Sequence, residues 1–190
     1  MKTAQDFNNL KIGDIIKLSD LQTQEDFGEF PVVFKVEDVR VYEYPEINLK
    51  ATCYIIKNPK QKQDLMIMVK QIGDVFELFS YYMDNQGNIN GTPIIEGEEL
   101  SKTFQVFVNN GTDESCINWW LQGGNLFGVQ LGEEIKTLGY YFTNDEVFGG
   151  VNPNPYCFVE WTGNTETGFF EMWYGSLLKL EEVEFMKVIK

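Results

Sequence analysis

Histidine is absent from all 190 residues. Its absence removes Ser-His-Asp and Cys-His nucleophile activation, imidazole general-base catalysis and histidine-ligated metal sites. Arginine is nearly absent too, with Arg40 alone in the chain. Binding nucleic acid through its phosphates requires clustered lysine and arginine, so direct contact with DNA or RNA is not expected. Three cysteines, Cys53, Cys116 and Cys157, lie far apart with no Cys-x-x-Cys spacing. Their odd number and their place in apolar runs indicate reduced, buried thiols and no thiolate zinc site. Neither a Gly-x-x-x-x-Gly-Lys-Ser/Thr loop nor a Gly-x-Gly-x-x-Gly after a strand occurs, so nucleotide folds lack their usual signatures. No metal and no cofactor is expected.

Long apolar runs are missing as well. A membrane-spanning helix needs roughly eighteen or more consecutive apolar residues, and none occurs. The first ten residues carry Lys2 but no apolar core of a secretory signal, so the expected location is the cytosol.

What the chain does contain is acid and aromatic surface. The formal net charge is −14 with an isoelectric point near 4.4. Between Lys102 and Lys179 the only basic residue is Lys136, against Asp113, Glu114, Glu133, Glu134, Asp145, Glu146, Glu160, Glu166 and Glu171. A surface of one sign keeps a protein soluble, and it also attracts a basic partner. With 43% hydrophobic and 15% aromatic residues, a substantial core is affordable and wholesale disorder is not expected.

The strongest local pattern is Tyr156–Gly175, where two aromatic, β-prone runs flank a Gly/Asn/Thr-rich break. It reads as a β-hairpin turning at Thr165/Glu166. That register sets Cys157, Val159 and Trp161 opposite Tyr174, Met172 and Phe170 on an apolar face, taken as core with Trp161, Phe170 and Met172 at its centre. The other face pairs Phe158 with Trp173 and Glu160 with Glu171. Carboxylates directly opposed on neighbouring strands stand on the order of 5 Å apart at Cβ. Glu160 and Glu171 are therefore the catalytic candidates for glycoside chemistry, with Phe158 and Trp173 as a sugar-stacking wall. The plainer reading places both carboxylates in solvent on a wet face.

Elsewhere, Leu10–Leu18 reads as a Gly13-Asp14 turn feeding a short strand, and strands are expected within Pro31–Tyr44 and over Leu49–Lys57, Leu65–Lys70, Asp74–Met83 and Thr103–Val108. Further strands are expected over Leu126–Leu131, Leu138–Thr143 and Val183–Ile189. Ser19–Glu29 is polar and acidic and reads as a surface loop. Asp84–Gly97 reads as a polar connector; it resembles a calcium loop only superficially, lacking glycine sixth and glutamate twelfth. Ser115–Gln122 reads as a short helix carrying Trp119 and Trp120, and Ser176–Glu182 as a helical turn.

These elements predict an all-β fold with minor helix, an antiparallel barrel or sandwich of about ten short strands. They form one β-rich domain over 1–190, or two intimate lobes, 1–90 and 98–190. The leading functional expectation is a non-enzymatic acidic module of inhibitor, immunity or nucleic-acid-mimic type. It would dock a basic protein through Glu133, Glu134, Asp145 and Glu146, with Trp119 or Trp120 as anchor. The alternatives are a β-barrel enclosing a small apolar or sugar-like ligand, and a hydrolase dependent on carboxylates alone.

Overall fold

The computed structural model describes residues 4–44, 48–90, 124–130, 136–143, 146–147, 150–151, 154–163 and 167–188. The elements in order are helix α1 (Ala4–Phe7), strand β1 (Ile15–Leu18), helix α2 (Leu21–Phe27), β2 (Val32–Tyr44), β3 (Leu49–Lys57), β4 (Leu65–Ile72) and β5 (Val75–Asn90). There follow β6 (Gly124–Gln130), β7 (Lys136–Thr143), the two-residue strands β8 (Glu146–Val147) and β9 (Gly150–Val151), β10 (Tyr156–Gly163) and β11 (Thr167–Leu177). A 3₁₀ turn, Leu180–Glu182, and β12 (Val183–Met186) complete the described elements. The protein is mostly β, its registered strand pairs are antiparallel, and it has little helix. The strand order does not close on itself, so the sheet is not a closed barrel.

The chain divides into two compact units. Unit 1 comprises Met1–Val41, Pro45–Tyr82 and Leu177–Lys190; unit 2 comprises Tyr42–Tyr44 and Met83–Ser176.

In unit 1 the strands run in the order β12-β1-β2-β3-β4-β5. Alternation builds β2: Val32, Phe34 and Val36 are buried while Val33, Lys35 and Glu37 are exposed. After Glu37-Asp38 the phase shifts, and Val39 packs against the core without any break in the strand. Ile16, Leu18, Tyr54, Ile67, Val69 and Leu78 join the same core, as do Leu178 and Val183 near the C-terminus. In β3 and β4 the alternation disappears. Residues 51–56 and 66–70 are all buried, the signature of strands covered on both faces. Cys53 lies in this run and is fully buried. Gly73, at φ +58, supplies the left-handed turn that pairs Ile72 with Val75 in the β4–β5 hairpin.

Two expectations for this half are corrected. Ser19–Glu29 is not a loop, because it contains α2. Asp20 caps that helix, its carboxylate accepting the Thr23 backbone N–H at 2.9 Å, and Gly28 ends it at φ 66. Phe27 then sets its ring edge-on to Phe34, with centroids 5.3 Å apart. Local capping thus holds a helix whose sequence shows little apolar period. The second correction concerns Asp84–Asn90, which is the extended end of β5 rather than a turn or a calcium loop. The expected strand Thr103–Val108 and helix Ser115–Gln122 lie outside the described residues.

In unit 2 the order is β11-β10-β7-β6, with β8 and β9 paired separately. The central hairpin has the predicted register throughout: Cys157 faces Tyr174, Val159 faces Met172, and Trp161 faces Phe170. Met172 and Tyr174 are buried; the side chains of Cys157, Val159, Trp161 and Phe170 lie outside the described set.

Candidate functional site

The hairpin's second face is where sequence and structure part. Glu160 and Glu171 are register partners across β10 and β11, but their surroundings differ. Glu160 is only 2% exposed, whereas Glu171 is half-buried. The expectation that both carboxylates stand in solvent is therefore corrected for Glu160: it lies at the buried end of this face, with Phe158 and Trp173 at 0% exposure, while Glu171 is half-buried and Phe169 is exposed.

A carboxyl group taken out of water needs donors in exchange. Two reach Glu160. The Trp173 indole N–H donates to Oε2 at 2.9 Å, and the Tyr42 hydroxyl donates to Oε1. Trp173 lies opposite Phe158 in the register, so a single strand pair positions the carboxyl and its indole donor. Tyr42 comes from the last three residues of β2, which belong to unit 2. Its ring stands edge-on to Phe158, with centroids 5.6 Å apart and planes at 76°. The aromatic edge-to-face pair and the hydroxyl–carboxyl bond thus fix Tyr42 from two directions.

This arrangement has the geometry of a polar lock within unit 2. A general acid must reach the bond it protonates, and a stacking wall must offer a ring face. Both oxygens of Glu160 are engaged inside the protein, and the two rings are closed to solvent. Sequence reasoning missed Tyr42 as the third member. Its advance signal was a large polar-tipped aromatic near the end of the alternating strand β2.

Of the docking candidates, Glu146 alone is among the described residues. Glu146 lies in β8, where its register partner is Val151 in β9. Trp119, Trp120, Glu133, Glu134 and Asp145 lie outside the described residues. Among the described residues, no helix is long and apolar enough to cross a membrane.

Charge is divided unevenly between the units. The residues of unit 1 include 15 acidic and 13 basic side chains, a net of −2. Those of unit 2 include 14 acidic side chains and only Lys102 and Lys136 as cations, a net of −12. In unit 1 many cations sit beside an acid: Lys17 with Glu184, Lys35 with Glu37, Arg40 with Asp38, Lys57 with Asp64 and Lys60 with Glu29. Unit 2 has too few cations to do the same.

Comparison with protein-family models, with curated proteins and with solved structures finds no match.

Proposed function

We propose that the protein is a non-enzymatic, acidic protein-binding module whose unit 2 docks a basic partner, in the manner of inhibitors, immunity proteins or nucleic-acid mimics. The observation that carries this reading is the charge division: −12 of the total −14 falls in one unit. A uniformly acidic coat would suffice for solubility. Concentrating like charge in one compact unit costs self-repulsion, and it yields a directional field that speeds encounter with a positive surface. The enclosure of Glu160 supports the same reading, because it withdraws the foremost catalytic candidate from solvent.

The test is kinetic. Basic proteins retained by the immobilised chain are measured for association rate against salt, using the wild type and a variant carrying Glu133→Lys, Glu134→Lys, Asp145→Lys and Glu146→Lys. The Debye length falls from about 8 Å at physiological ionic strength to about 3 Å at 1 M, so association slows as salt rises. The folded variant associates more slowly at low salt. A partner whose association rate ignores both salt and the reversals refutes the proposal.

A further inference from the structure

We draw no further inference here: the strongest candidate, the surface corner of unit 1 where exposed Phe30 and Val33 meet the β3–β4 loop through the Lys60–Glu29 pair and the Asn58 side chain on the Val33 carbonyl, carries nothing because its lysines are matched by Glu29, Glu37 and Asp64 and nothing in the structure shows what covers it.

Discussion

The carboxylate of Asp14 accepts the backbone N–H of Val188 at 3.0 Å, joining residues 174 positions apart. Its other oxygen accepts the Lys11 N–H at 2.8 Å, and the side chain is 7% exposed. Burial alone pushes this carboxyl upward. The two backbone bonds and the charges of Lys187 and Lys11 outweigh it and hold the group below its ordinary 3.8.

A carboxylate whose value is lowered on folding contributes stability at pH above its unfolded value, and that contribution is lost as pH falls through the folded one. Asp14→Asn should therefore cost about 1–3 kcal/mol at neutral pH. The gap from wild type should narrow as pH drops below 3.8. Urea midpoints for both proteins across acid pH provide the check; a gap constant with pH would remove the carboxylate from the account.

Tyr54 predicts the opposite limb. Its hydroxyl donates to the Phe7 carbonyl, and burial pushes it up to about 12, with Cys53 and Asp14 adding to the rise and a backbone bond at Leu10 opposing it. The folded value lies above the unfolded one of 10, so its contribution is complete below pH 10 and disappears as pH climbs through 12. Absorbance titration of phenolate in wild type and Tyr54→Phe should differ by one transition near pH 12. If the transition that Tyr54→Phe loses lies near pH 10 instead, the ring is solvated.

For the Glu160 lock, Tyr42→Phe should destabilise by about 1–3 kcal/mol, because it removes a donor from a buried carboxyl. Glu160→Gln should be costly as well, because its amide offers one acceptor oxygen to the Tyr42 and Trp173 donors where the carboxyl offers two. The double variant should lose less than the sum of the two, with a coupling of about 0.5–3 kcal/mol. Additive losses would show that the pair does not interact in solution.

The caps of α2 give a smaller, separable effect. Asp20→Ala should cost about 1 kcal/mol, and Gly28→Ala a comparable amount because its φ of 66 disfavours any β-carbon. Hydrogen exchange over Leu21–Phe27 should accelerate in both. Unchanged protection there would mean that packing of Phe27, not capping, holds the helix.

Duplex DNA and single-stranded RNA should show no saturable binding at physiological salt, since a net −14 with one arginine repels phosphates. Fluorescence anisotropy at low and moderate ionic strength measures this directly, and salt-sensitive saturation would overturn it.

How far the sequence could be read depended on which force decided each segment. The β10–β11 register was legible because Cys157–Trp161 and Phe170–Tyr174 alternate around an obvious break. The burial of Glu160 was not, because period two assigns a residue to a face and cannot say whether that face is covered. Asp84–Asn90 read as turn from its Asn and Gly content, yet it is strand. For α2 the signal lay in Asp20 and Gly28, two residues at its ends, while the polar stretch between them pointed to loop. Tyr42 was hidden by distance, since nothing local in β2 announces a bond 118 residues away.

The return of the C-terminal segment to unit 1 sets an order on biosynthesis. β1 pairs with β12 on one side and β2 on the other, so its first flank can be closed only when Val183–Met186 has been made. At about 5–20 residues per second, the 174 residues separating Asp14 from Val188 take on the order of 10–30 s. Through that interval Ile15–Leu18 lacks its β12 partner. Unit 2 finishes at Ser176, ahead of the strand that completes unit 1. The half made first is thus the half that waits for its last strand.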